Sequence, residues 1–349
     1  MMKQQRIYFL DGLRGWAALV VVFYHTFIGV LPPLDNAADY IRNWWPFAGR
    51  FSVCLFFLVS GFALSIVFMR DNDNQALVRM AAGRYFRLFI PIFVICAFVS
   101  LSMNTGLFPE PNERPLSKAT KFAFDPTLQH LLKFSFYDVF FDYSGKSSYA
   151  GPLWTMSVEL YGSFIIAITL FVLGKPRNHL VIYLVAMIIL LYLQSYYFLF
   201  LVGVLSCDYH KELSESRVKF IAPFLLVVGA MVPVFFRPNK YALLCGAVIF
   251  FIGVIMSPQV RSFMSTKFSR FLGTISFPLY LIHAPILYIV GLPLYMAHQD
   301  SIGQKVIIGF VAITLAIIAA IILIPVNTFA MHVSRYVGRN FVRLVYPKQ

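Results

Sequence analysis

Three ionisable side chains, Asp11, Arg14 and His25, stand in the first apolar stretch of the chain. A charge inside hydrocarbon is costly, so each such residue is a candidate for function. At 100° per residue, the eleven steps from Arg14 to His25 return to within about 20° of one helix face. Asp11 lies one turn from Arg14, within ion-pair reach. That face would carry an ion pair near one membrane surface and an imidazole roughly 16 Å further on. A second candidate is Glu159, about two turns into a run that opens Gly151-Pro152-Leu153-Trp154-Thr155-Met156-Ser157-Val158-Glu159, where Pro152 suits a first helical turn. An imidazole and a carboxylate at one depth make a general-base pair, the carboxylate fixing the tautomer and raising basicity. The plainer reading is an anchoring helix, a histidine bonded to its neighbour, and a glutamate reaching the headgroups.

A third cluster is Arg79, Arg84 and Arg87 ahead of Pro91, at the entry to the next-but-one apolar run. Arg84 and Arg87 are one turn apart and can converge on one anion, or serve only as anchors. His283 lies between Pro278 and Pro285, which should break or kink its helix; it reads equally as a core histidine or a site residue. No His/Cys/Asp/Glu spacing points to a metal, and there is no Gly-rich phosphate loop or serine nucleophile elbow.

These residues need a membrane scaffold to hold them. Of 349 residues, 59% are hydrophobic and 13% charged, with a mean hydropathy of +0.74. A soluble domain carries roughly 25% charged residues, so a water-solvated globule is excluded. The 37 Phe and 19 Tyr exclude disorder, and four Cys exclude a disulfide scaffold. The expected fold is all-α, a polytopic helical bundle of about ten transmembrane spans without an appended soluble domain. Apolar stretches run over 10–30, 47–69, 88–104, 152–173, 180–193, 196–207, 220–236, 241–256, 273–297 and 303–331.

A hairpin at Gln194–Ser195 keeps Lys175 and Arg177 on the same side as Lys211, Arg217 and Lys219, as the positive-inside rule prefers. Both termini then face the cytoplasm in a multi-pass protein of the cell membrane, with an uncleaved first span. The net charge of +14 follows this topology: the cytoplasmic side takes 18 of the 29 cations and only five of the 15 acids. It gives no support to a nucleic-acid partner. Residues 1–335 read as one transmembrane domain and 336–349 as a basic cytoplasmic tail. The loop over about 105–150 is long enough to fold across the outer face as a lid.

The segment Leu10-Asp11-Gly12-Leu13-Arg14-Gly15-Trp16, running on to Phe23-Tyr24-His25, resembles the opening signature of the acyltransferase-3 family of integral membrane acyltransferases. Phe56-Phe57-Leu58-Val59-Ser60-Gly61-Phe62, Arg84-Tyr85-Phe86-Arg87, Leu153-Trp154-Thr155-Met156-Ser157-Val158-Glu159 and Ser276-Phe277-Pro278-Leu279-Tyr280-Leu281-Ile282-His283 continue the resemblance in family order. Thr155, and Leu160-Tyr161-Gly162 after the glutamate, depart from the usual pattern.

The resemblance implies transfer of an acyl group, commonly acetyl, from cytoplasmic acyl-CoA to a hydroxyl of a glycan, polysaccharide or sugar-bearing acceptor. Acyl-CoA (acetyl-CoA) is then a substrate, and no bound cofactor is implied. The family's functional positions fall on Arg14, His25, Arg84, Arg87 and Glu159. His25 would act as base, Glu159 would orient it, and Arg14, Arg84 and Arg87 would grip the donor, with Asp11 and His283 in support. Ser60, Trp154, Ser157 and Tyr161 would assist an oxyanion or simply pack. With the arginines at the cytoplasmic mouth and Glu159 near the outer one, donor and acceptor would enter from opposite faces. The rival reading is a secondary transporter or exporter using the same intramembrane charges for coupling.

Overall fold

The structure is a computed structural model that describes residues 7–31, 44–109, 122–298 and 301–347. Part of the 105–150 loop, residues 110–121, and both chain ends, 1–6 and 348–349, lie outside the described residues. In chain order the main helices are α1 (Tyr8–Tyr24), α2 (Gly49–Asp71), α3 (Asn74–Asn104) and α4 (Thr155–Leu173). Next come α5 (Leu180–Tyr192), α6 (Tyr197–Asp208), α7 (Ala222–Phe235) and α8 (Lys240–Met256). The last four are α9 (Pro258–Met264), α10 (Lys267–Ile286), α11 (Ile302–Ile322) and α12 (Ile324–Val345). No strand occurs among the described residues.

Each apolar stretch forms a helix, yet six helical segments are long and apolar enough to cross a bilayer. Counting α8 and α9, bent by 91°, as one span gives seven. Three more apolar helices, at Leu180–Tyr192, Tyr197–Asp208 and Lys219–Phe235, are shorter. Among the described residues six or seven segments thus meet the test for a span, three more apolar helices fall short of it in length, and the count of ten is not confirmed. Large apolar side chains point outward, among them Val181 at 73% exposure. Such a surface suits lipid and not water.

Two span boundaries differ from expectation. The third stretch does not begin at 88: α3 starts at Asn74, with Asp73 accepting a hydrogen bond from the Gln75 N–H at 2.8 Å. Arg79, Arg84 and Arg87 therefore sit inside a 31-residue helix and not in a loop before it. The last stretch ends at Ile322, because Pro325 takes the opening turn of a new helix, α12. That helix runs unbroken through Val345, so the basic segment beyond 335 is helical. Pro278 does not end α10, and a π turn, Leu287–Gly291, follows Pro285.

Backbone contacts divide the chain into two compact units interleaved along it. The first takes Met1–Val20, Asn43–Val78 and Gly162–Ser276; the second takes Val21–Arg42, Arg79–Tyr161 and Phe277–Gln349. Within the first unit, α2 packs on α6 and α7 on α8. The α5–α6 hairpin turns at Gln194, which adopts φ +50°. Its open end is fastened where the Arg177 N–H donates to Asp208 Oδ2 at 2.8 Å, so the two helices run antiparallel. Within the second unit, α12 runs antiparallel along α3. Arg87 meets Asn327, and a Cβ on Gly83 would lie 2.4 Å from the Ser334 carbonyl oxygen.

Within the loop expected over about 105–150, the described residues 126–141 run along α3. Ser100 donates to the Pro126 carbonyl at 3.1 Å, and Tyr85 donates to that of Phe136 at 2.7 Å. Fifteen residues of α3, about 22 Å of helix, separate those two contacts. A short helix Leu128–Lys133 and a π turn Phe134–Asp138 run between them, with the Phe136 ring 4.3 Å from that of Phe89. At its upper end His130 Nδ1 lies 2.9 Å from the Tyr149 hydroxyl. Burial, with Lys133 assisting and Asp138 opposing, holds the His130 imidazole below its ordinary value of 6.5. A group whose folded value is depressed stabilises above its unfolded value and loses that stabilisation as pH falls. Amide exchange over 128–150, corrected for intrinsic rate, is expected to quicken as pH falls below 6.5, and His130→Gln should flatten that dependence.

Candidate active site

The second unit gathers most of the candidate residues. Helix α1 passes into a π turn, His25–Val30, of which His25 is the first residue. Such wide turns re-aim side chains and recur at functional sites. Its backbone is tied by the Leu31 N–H to the Thr26 carbonyl at 2.8 Å. The neighbouring Phe27 ring lies so close to Gly309 of α11 that a Cβ there would fall 2.3 Å from it. His25 is thus mounted on a backbone packed from both sides.

His283 of α10 faces it, the two imidazole centroids 5.2 Å apart and the planes inclined at 39°. His283 is fully buried. Its Nδ1 lies 3.0 Å from the Leu279 carbonyl, to which only a protonated nitrogen can donate. Nε2 is then the lone-pair nitrogen, and it is buried without a hydrogen-bond partner. Tyr280, one turn earlier, joins α10 to the opening turn of α4, with its hydroxyl 2.9 Å from Thr155 Oγ1 and donating to the Pro152 carbonyl at 3.2 Å.

Glu159 of α4 forms an ion pair with Arg84 of α3, each side chain 13% exposed. This overturns the vertical separation expected of the two: Arg84 stands level with the carboxylate, some ten residues inside α3. The convergence of Arg84 and Arg87 on one anion does not occur either. Arg87 turns to Asn327, donating to Oδ1 at 2.8 Å, and its guanidinium covers the Phe277 ring at 5.1 Å. Both arginines thus have partners within the fold, Arg84 in a part-buried ion pair and Arg87 in a hydrogen bond.

Ser157 donates to the Trp154 carbonyl at 3.2 Å, a local helix bond. Tyr161 is exposed and packs its ring 6.2 Å from that of Phe141. Asp11, Arg14 and Ser60 belong to the first unit. Asn327 was not foreseen, although an amide interrupting an apolar run needs a partner and could have signalled one.

The arrangement offers two facing imidazoles and a carboxylate–guanidinium pair within one apolar helical unit. Either imidazole can accept a proton and return it. A profile of the family described as the acyltransferase domain matches residues 7–325. An O-acetyltransferase of Phomopsis amygdali, PaAT-1, is 22% identical over 365 aligned positions, which cover 81% of this chain and 72% of that protein. No solved structure matches.

Proposed function

Since the chain belongs to the acyltransferase-3 family and is a multi-pass membrane O-acyltransferase, we propose that it moves an acetyl group from cytoplasmic acetyl-CoA to a hydroxyl of a carbohydrate or sugar-bearing acceptor. The protein sits in the cell membrane with both termini cytoplasmic. His25 facing a buried His283 is the observation that carries this reading.

In the proposed step His25 takes the proton of the acceptor hydroxyl as its oxygen attacks the thioester carbonyl. The C–O bond forms, the C–S bond breaks, and the leaving thiolate recovers the proton from the imidazolium. Products are an ester and free CoA. His283 positions His25 and offsets no charge while neutral, so the transient imidazolium falls to Glu159, itself held by Arg84. Tyr280 and Thr155 keep α10 and α4 in register, and Arg14 and Arg87 support the donor's path.

The descending segment 128–141 bears on the acceptor's access. Broken helix at membrane depth persists where it is buried in protein or lines a wet cavity. An outer vestibule beside α3 would give a polar acceptor a route towards Arg84 and Glu159. The proposal is tested with purified protein in detergent supplied with radiolabelled acetyl-CoA and a panel of glycan acceptors. Label is expected in the acceptor fraction, and its absence with every acceptor, with no hydrolysis above background, would overturn the reading. Detergent removes any sealed compartment, so a transporter gives no signal.

A further inference from the structure

Arg84 is paired with Glu159 and Arg87 donates to Asn327, so the several phosphate charges of the donor call for further cations. The first unit has an open cleft of about 290 Å³ lined by Tyr8, Asp11, Lys267, Arg270, Phe271 and Thr274. We propose that this cleft binds the nucleotide end of coenzyme A, an adenosine carrying a 3′-phosphate and a 5′-diphosphate. The inference rests on the acyl-CoA reading above and gives it a site.

The wall from α10 is a single helix face: Lys267, Arg270, Phe271 and Thr274 follow at i, i+3, i+4 and i+7. Tyr8 and Asp11 face them from successive turns of α1. The two helices touch backbone to backbone there. A Cβ on Gly273 would fall 2.4 Å from the Asp11 carbonyl oxygen, so the walls are fixed before a ligand arrives. The Trp16 indole donates to Ser269 Oγ at 3.1 Å and adds a second fastening.

The chemistry of the lining divides in a way that suits a nucleotide. Lys267 and Arg270 supply two cations, the lysine as a point charge and the arginine as a planar fork for phosphate oxygens. The Arg270 guanidinium lies 4.6 Å from the centre of the Tyr8 ring, which pre-orients it. Tyr8 is 45% exposed and Phe271 is 40% exposed, so each presents ring surface to a flat base. Asp11 and Thr274 add a carboxylate and a hydroxyl for ribose hydroxyls. Neither cation stands where it helps its own helix: both lie in the first turn of α10, which has no acid, and the macrodipole disfavours positive charge there. The volume is at the small end of ligand pockets and fits one end of a long ligand. The helix that begins with Tyr8 and Asp11 is the one that leads to His25.

The test compares donors with and without the nucleotide. In Lys267→Ala/Arg270→Ala, kcat/KM for acetyl-CoA is expected to fall at least tenfold, carried by KM. The value for S-acetylpantetheine, which lacks the nucleotide, should move less than twofold. Equal losses with both donors, or none with either, overturn the assignment. Binding is read apart from turnover by titrating the detergent-purified protein with adenosine 3′,5′-bisphosphate, with Lys267→Gln/Arg270→Gln as a gentler second variant. Wild type should bind at least tenfold more tightly than either variant; equal affinities, or no binding to wild type, refute the cleft. A wild type that binds this nucleotide without transferring acetyl groups refutes the donor reading while the cleft stands.

Discussion

Replacing His25 with alanine is expected to lower acyl transfer by about 10²–10⁴-fold, the usual worth of a positioned general base. The protein should still reach the membrane, because the Leu31–Thr26 backbone bond and the Phe27 packing on Gly309 that hold the π turn remain in the variant. The companion variant is His283→Phe. It keeps a ring in a fully buried position, where truncation to alanine would cost about 3–5 kcal/mol in packing. Loss of Nε2 with the ring preserved should reduce kcat about tenfold and displace the pH dependence of kcat. A structural ring would leave that pH profile unmoved. Wild-type turnover in His25→Ala would remove His25 from the chemistry, and an unchanged profile in His283→Phe would reduce His283 to packing.

The sequence made His25 easy to find and His283 hard to assign. His25 stands out because an imidazole in an apolar run is rare and its helical phase with Arg14 is a local property of eleven residues. His283 was equally suspicious, but its nearness to His25, 258 positions away, is not a property that local spacing records. Spans behaved in the same way. Hydropathy located every apolar helix, and charge sorting chose the hairpin that Arg177 and Asp208 fasten. Hydropathy could not see that α3 extends to Asn74, since Gln75, Ala76, Ala81 and Ala82 favour helix without forming a strongly apolar run.

The descending segment was illegible for a related reason. Residues 128–141 have no long apolar run, so a hydropathy reading leaves them outside as a loop. What brings them down along α3 is a ladder of tertiary aromatic contacts, Phe136 on Phe89 and Phe140 on Tyr85, closed by the Tyr85 hydroxyl on the Phe136 carbonyl. Sequence spacing holds no record of that register. The same limit hid the partner of Glu159. Depth estimated from each span alone put Arg84 at one surface and Glu159 near the other, and their pairing follows from where a 31-residue helix begins.

That pair yields the second large effect. Arg84→Met is expected to destabilise the protein by about 1–3 kcal/mol, the cost of removing the charged partner of a part-buried carboxylate. Glu159→Gln should cost a similar amount by stranding the guanidinium. The double variant, with neither charge, should recover most of that stability, because replacing both members of a buried pair by neutral groups of like volume is often close to neutral. Unfolding of the detergent-solubilised protein, followed across the four proteins, gives the coupling directly. Additive losses would mean that the two side chains do not act as a pair. Activity then separates scaffold from chemistry. If the pair only braces α3 against α4, transfer returns with stability in the double variant. If Glu159 steadies the imidazolium on His25, the double variant folds like wild type and stays deficient by at least tenfold in kcat. The second outcome is expected, because a braced backbone can be rebuilt from neutral groups, whereas a carboxylate opposing a transient cation in low dielectric cannot.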